Sequence, residues 1–344
     1  MLEKIKITPL LDTLHLEDIS DEIYFGKQYS GYISNSRLSL VNPEQGGSAD
    51  KFIQGLSANN IYSDSLNFGS AVHELILQPE SFILIESVDR PTAKAGFMAD
   101  EVYHKSGKIP TYEELYNASQ KVDYYAKSFN EDKSEALKNK CMQYWRQRAL
   151  FEHDYKEDKV PIYLDPKSRD RLKGVLNSFN NNKKFTELLH PSGLFEPCIS
   201  KNERTILLDV NVEVPDNEPF ILHLKSKLDN FTIDKDSGDI TVNDIKTTGK
   251  PVNYFSSAFK RYRYYREMGM YGWLLMLCAK KFYNIDKPIL HSNCLVVETF
   301  GDYNTLPYEL TKKDLIHGFN EFKTLLRLVA YYKTTKDGKE WSEL

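Results

Sequence analysis

The sequence predicts an α/β fold: a central mixed β-sheet flanked by helices, with an inserted or appended helical region. Three observations predict it. Three β-rich segments follow one another at 206–214, 220–229 and 240–246, helical patterns precede and follow them, and a further strand pattern at 293–299 leads into a last helix.

The elements follow in order. At 32–41 a helix start is marked by Ser34 or Ser36, either of which can accept from free first-turn amides, and Asn42-Pro43 stops it. At 66–78 Val72, Leu75 and Ile76 recur at helical spacing around His73, and Pro79 ends the run. Residues 112–155 are rich in Glu, Lys, Ala, Gln and Leu with few breakers, which predicts one or two long exposed helices. An amphipathic helix is predicted at 166–189. Turn-forming residues separate the three β segments, so an antiparallel meander is expected; a long helix at 258–280, a strand at 293–299 and a helix at 312–332 complete the chain. The expected division is 1–90 as an N-terminal helical part carrying the His73 motif, 91–190 as a mainly helical insertion, and 191–344 as the catalytic α/β core.

Composition sets outer limits. With 41% hydrophobic and 27% charged residues the 344-residue chain is of ordinary globular type, no apolar run is long enough for a bilayer span, and residues 1–22 lack a secretory apolar core, so no membrane partner and a cytoplasmic location are expected. The four cysteines form none of the close pairs used by zinc or iron-sulfur sites and are expected as buried thiols. A net charge of −4 provides no global attraction to nucleic acid, so any phosphate binding must come from local cation clusters.

The chemistry-bearing residues gather late in the chain. Positions two apart on a strand share a face, so Asp244 and Lys246 project together: a carboxylate that can hold Mg²⁺ beside an ammonium that can orient or help deprotonate a water. Taken alone, the same pair would suit a solvent-facing edge strand. A hairpin closed by Asp234-Lys-Asp-Ser-Gly-Asp239 would bring Asp229 beside Asp244, and two adjacent carboxylates call for a cation or a proton; Asp229 would equally serve as a turn cap. His73 could complete the coordination of a metal held by carboxylates, or could be a satisfied structural histidine. Glu196 is a secondary candidate for the same cluster. In the helix after the second acid, Lys260, Arg261, Arg263 and Arg266 alternate with Tyr262, Tyr264 and Tyr265, a mixture suited to a nucleic-acid strand and also to the solvated half of a half-buried helix. Glu267 and Tyr271, four apart, share one helix face.

Four stretches together resemble the PD-(D/E)XK nucleases, and within them the RecE-like (exonuclease VIII) group of phages and prophages. They are Ile33-Ser-Asn-Ser-Arg-Leu38, Gly69-Ser-Ala-Val-His-Glu-Leu-Ile-Leu-Gln-Pro79, Lys225-Ser-Lys-Leu-Asp229, and Asp244-Ile-Lys-Thr-Thr248 with the Tyr-rich helix after it. The resemblance implies a PD-(D/E)XK core in which His73, Asp229, Asp244 and the Ile245 carbonyl bind metal and Lys246 is the catalytic lysine, with Asp244, Asp229 and Glu267 beside it. It implies Mg²⁺, replaceable by Mn²⁺, and DNA as substrate, bound in part through Lys260, Arg261, Arg263, Arg266 and Tyr271. It further implies 5′ to 3′ digestion of duplex ends for recombination in a bacterial or phage-infected cytoplasm, a single-strand annealing protein as partner, and homo-oligomers. Leu228 stands in the place of the family's proline, a common and harmless replacement; Glu267 stands in that of a frequent Gln and puts a negative charge where a neutral amide would touch DNA or water. Two other readings stay open: a nuclease-like fold that binds nucleic acid or a partner without cutting, and an endonuclease acting on branched or single-stranded DNA.

Overall fold

The computed structural model describes residues 2–56, 62–191 and 198–335. Its chain divides into two compact units, one made of Met1–Asn59, Asn182–Val297 and Asn304–Leu344, the other of Asn60–Asn181 with Glu298–Tyr303. The helix that carries His73 therefore groups with the helical region assigned by sequence to 91–190.

Along the chain the first unit opens with β1 (Lys6–Pro9), β2 (His15–Glu17), α1 (Asp21–Tyr24), α2 (Asn35–Val41) and α3 (Ala49–Leu56). The second unit holds α4 (Asp64–Leu77), β3 (Phe82–Leu84), α5 (Ala93–Glu101), α6 (Tyr112–Val122), α7 (Glu131–Asp154), β4 (Val160–Ile162) and α8 (Pro166–Asn181). The chain returns to the first unit through α9 (Lys183–Leu189), β5 (Ile199–Glu213), β6 (Phe220–Ile233), β7 (Asp239–Thr248), α10 (Phe255–Arg261), α11 (Tyr264–Tyr283), β8 (Ile289–Glu298), β9 (Thr305–Glu309) and α12 (Lys312–Thr335).

The first unit is built on a seven-stranded sheet ordered β1-β5-β6-β7-β8-β9, with β2 pairing β5 beyond the end of β1. The expected meander is present: β5, β6 and β7 pair antiparallel in sequence order. Its second turn follows from Asp234, whose Oδ1 accepts from the amides of Asp236 (2.9 Å) and Ser237 (3.3 Å), and from Gly238 at φ +76°. Ile206, Leu208, Val210, Leu222, Leu224, Phe231, Ile233, Ile240 and Val242 line one sheet face and join Met268, Leu274 and Leu275 of α11 and Phe322, Leu326 and Val329 of α12 in one buried core. Ser34 caps α2 as expected, accepting from the Arg37 amide. Just before it, Ile33 forms a parallel bridge to Leu224, donating to the His223 carbonyl (2.8 Å) and accepting from the Lys225 amide (3.0 Å). This bridge lies alongside the part of β6 that precedes its pairing with β7, so the α2 motif is fixed next to the strand carrying Asp229.

The second unit has its own core. Met98, Leu115, Val122, Leu137, Cys141, Tyr144 and Trp145 are buried together, and the Trp145 indole donates to the Ala99 carbonyl at 2.9 Å. The region 112–155, expected as exposed helices, thus supplies interior residues; its apolar positions 137, 141, 144 and 145 fall on one face of α7. Two long helices expected from sequence are broken. Asn182 caps α9 by accepting from the Lys184 and Phe185 amides and splits 166–189, while Arg263, at φ +59°, splits α10 from α11. Strands β1 and β2, which the sequence did not reveal, are short and half-exposed.

Candidate active site

Asp244 and Lys246 leave β7 toward α11, as the two-residue period requires. Lys246 Nζ lies 2.7 Å from Asp244 Oδ2 and 2.9 Å from Glu267 Oε2 of α11. One turn along α11, the Tyr271 hydroxyl donates to Glu267 Oε1 at 3.2 Å, and the Tyr264 ring lies 4.6 Å from the same ammonium. The lysine is thus held from two elements by two carboxylates and an aromatic face.

Asp229 reaches this group by a different route. Pairing of β6 with β7 ends at Asn230–Asn243, so the next residue, Asp229, stands level with Asp244. Where the ladder would continue, the Asp229 carboxylate takes over, its Oδ2 accepting from the Ile245 amide at 2.7 Å. The sequence placed Asp229 at the end of its strand; β6 runs on to Ile233, so Asp229 is internal and the strands diverge at that residue. The Ile245 side chain is buried.

Glu203, absent from the sequence candidates, is the fourth acid. The β5–β6 register pairs Asn202 with Asn230 and Arg204 with Leu228, which sets Glu203 across from Asp229, and their carboxylate oxygens lie within 4.8 Å of each other. Glu203 has φ +51°, a conformation costing roughly 1–2 kcal/mol for a side-chain-bearing residue, and strain of this kind concentrates at functional sites. At this step both strands slip by one residue in facing. Leu224, Leu228, Phe231 and Ile233 all belong to the core on one side, while Asn202 and Asn230 meet on the other. Lys227 Nζ pairs with Glu203 at 3.0 Å and with Asp21 of α1.

The electrostatics are those of crowded buried acids. Asp244 is 3% exposed; burial, reinforced by the charges of Asp229 and Glu267 and opposed by Lys246, pushes its carboxyl well above the carboxylate range. Burial lowers the proton affinity of Lys246, but Asp244, Glu267 and Asp229 outweigh it and hold the ammonium well above its ordinary value. Burial also pushes the Tyr264 hydroxyl up to about 12. Asp244 Oδ2, though close to Lys246 Nζ, is buried and receives no directed hydrogen bond. An orphaned carboxyl oxygen among further carboxyl groups is a donor set of the kind a hard divalent cation takes, the cation favouring the ionised form that burial alone disfavours.

The other sequence candidates lie as follows. Lys260 and Arg261 are exposed at the end of α10. Arg263 and Arg266, expected to meet nucleic acid, are instead structural cations. Arg263 pairs with Glu44 and with Glu321 (2.9 Å). Arg266 is fully buried, donating to Asn35 Oδ1 (2.8 Å), Ser39 Oγ (2.6 Å) and Glu321 Oε1 (3.3 Å). Tyr271, expected on the nucleic-acid surface, points its hydroxyl at Glu267. His73 is half-buried on α4 of the second unit, and Glu196 lies outside the described residues.

No family model matches the sequence, and no curated protein matches it. Among solved structures, a candidate exonuclease from Eubacterium rectale aligns over 92% of this chain and 88% of its own, with 10% identity and a TM-score of 0.43. A likeness this distant carries no chemistry from that protein to this one.

Proposed function

We propose that the chain is a Mg²⁺-dependent deoxyribonuclease, an exonuclease that hydrolyses phosphodiester bonds at duplex ends. The observation that supports it best is the meeting of Asp244, Lys246 and Glu267 across β7 and α11 at the residue level where Asp229 closes the diverging β6–β7 ladder. Asp229 and Asp244 would hold the cation, with Glu203 adjoining; the His73 imidazole enters this proposal as a neutral ligand able to complete a carboxylate-held ion, and the Ile245 carbonyl on the sequence resemblance. When bound, such an ion supplies positive charge against the scissile phosphate and acidifies water. Lys246, kept protonated by its two carboxylates, donates from Nζ to the attacking water or a phosphate oxygen and offsets the charge that develops there. Glu267 and Tyr271 keep that amine aimed. Exposed Lys260 and Arg261 contribute phosphate contacts.

Digestion of linear duplex DNA with Mg²⁺ tests the reading. Asp244→Asn and Lys246→Ala are each expected to lose at least about 10²–10³-fold, the scale of removing one preorganised charge-stabilising group, and chelation of the metal should abolish the wild-type activity. Equal digestion by all three proteins would end the proposal. Isothermal calorimetry with Mn²⁺ is expected to show weaker binding in Asp229→Ala and His73→Ala. Closed circular DNA should resist an end-dependent enzyme, and its cleavage would replace the exonuclease with an endonuclease.

A further inference from the structure

The most exposed large apolar side chain among the described residues is Phe25, 71% exposed, with Ile23 beside it at 49%. They stand at the tip of α1, which is firmly anchored. Ser20 caps it, and Tyr24 is buried with Ile19, Tyr29 and Leu207. Lys225 Nζ donates to the Tyr24 carbonyl at 2.6 Å and lies 4.4 Å from the Tyr24 ring. Gly26 follows directly, where a Cβ would come within 2.8 Å of the Glu22 carbonyl oxygen, so the chain packs back tightly just past Phe25. The Phe25 ring meets Tyr24 edge-on, centroids 4.9 Å apart, and the rest of it faces solvent. A mobile apolar residue in water needs no explanation; a ring held out on a fixed backbone does.

Two features connect this tip to the site. Lys227 bridges from Asp21 of α1 to Glu203, which faces Asp229. Beneath the tip, Lys225 and Arg37 donate to backbone carbonyls, of Tyr24 for the first and of Ser30 and Tyr32 for the second, and neither pairs with a carboxylate among the described residues. Arg37, half-buried and without a counter-charge, can meet a phosphate whose base stacks on the ring above it, and Lys225, 4% exposed, adds positive potential from beneath, the combination by which proteins hold single strands.

We infer that Phe25, with Ile23, is a stacking platform for an unpaired base of the strand whose phosphodiester enters the Asp229–Asp244–Lys246 cluster. The inference rests on the nuclease reading and deepens it: the segment held beside the site is single-stranded, so a duplex end is frayed or already overhanging when it is cut.

The test uses the full chain carrying Lys246→Ala, to slow hydrolysis, in Mg²⁺, and a short duplex whose overhanging strand ends in 2-aminopurine. Binding is expected to quench the probe's fluorescence. Phe25→Ala and Phe25→Leu should each remove the quench and weaken binding about tenfold, the loss of one base–aromatic stack. Phe25→Trp should restore both. Because the ring is exposed, the thermal midpoint should not move in any of the three. Binding with an unaltered quench in Phe25→Ala overturns the platform and leaves the nuclease reading standing; no binding by the parent chain overturns both. A sedimentation mass that falls on Phe25→Ala would assign the ring to a contact between copies and overturn the inference.

Discussion

Glu267 holds Lys246 with one oxygen and receives the Tyr271 hydroxyl on the other. A glutamine keeps its oxygen on Lys246 and turns its amide nitrogen, now the donor, to the Tyr271 hydroxyl oxygen, but removes a charge; a leucine removes everything. Glu267→Gln is therefore expected to retain duplex digestion within about tenfold, whereas Glu267→Leu should fall about 10²-fold, since the amine then loses an orienting partner. Steady-state digestion at fixed Mg²⁺ separates the two, and equal loss in both would mean that charge, not orientation, is what Glu267 supplies. The thiols permit a prediction with a clear sign. Burial pushes Cys141 and Cys278 from 9.0 up to about 12, and the thiolate is the reactive form. At pH 8 iodoacetamide should modify half-buried Cys198 and spare Cys141, Cys278 and Cys294; labelling of the native chain followed by mass spectrometry checks it. As pH rises above 9.0 the unfolded chain releases these protons before the folded one does, so stability should fall. At this scale Asp244 and Lys246 were legible because a two-residue strand period fixes their side. Glu203 was not, lying in Lys201-Asn-Glu-Arg204 with no apolar alternation to mark a strand. Arg263 and Arg266 misled for a related reason: a basic run looks alike whether solvated or buried, and Glu321, Asn35 and Ser39, which neutralise or bind them, come from distant elements.

The strands around the site are locked by a row of asparagines. Asn202, Asn230, Asn243 and Asn293 lie on β5, β6, β7 and β8 in turn, neighbours joined by side-chain hydrogen bonds of 2.7, 2.9 and 3.0 Å. Asn243 also donates to the Leu188 carbonyl at 2.9 Å, closing the end of α9. Asn230 and Asn243 are both fully buried, so the row satisfies itself and fixes register next to Asp229 and Asp244, where a slip of one residue would turn both acids to the wrong face. Asn243→Leu would strand the Asn230 oxygen, the Asn293 amide and the Leu188 carbonyl. With each buried orphan costing about 1–3 kcal/mol, the variant should lose about 3 kcal/mol or more in urea unfolding. A loss below about 1 kcal/mol, the worth of one ordinary hydrogen bond, would show that the row does not set the register. The row itself was invisible in sequence, because four asparagines spread over 202–293 gain a common meaning only once the strands are aligned. The meander was visible because Pro215-Asp-Asn and Asp234-Lys-Asp-Ser-Gly are turns by their own chemistry. The breaks at Asn182 and Arg263 were hidden for lack of any Pro or Gly there.

Across the whole molecule, cores and charge need separate accounts. Each unit has its own buried cluster, and the second was under-read because α7 carries few apolar residues and many charges; Leu137, Cys141, Tyr144 and Trp145 suffice because they share one face. Net charge is −4, so attraction to a polyanion must come from cations not already neutralised inside the fold. Lys260 and Arg261 are exposed and have no ion pair among the described residues, in contrast to Arg263 and Arg266. The salt dependence of DNA binding distinguishes these classes, because each phosphate that is no longer neutralised lowers the slope of log Kd against log salt by about one. Lys260→Ala and Arg261→Ala should each lower it by about that amount with little change in stability. Arg266→Ala should leave the slope of whatever protein remains folded unchanged while costing about 3–5 kcal/mol, since it leaves Glu321 without one of its buried cations. Fluorescence anisotropy titrations across a salt series, paired with urea unfolding of the same variants, measure both quantities. If Arg266→Ala flattened the slope without loss of stability, the nucleic acid would be meeting a face of α11 that packs here against α2 and α12.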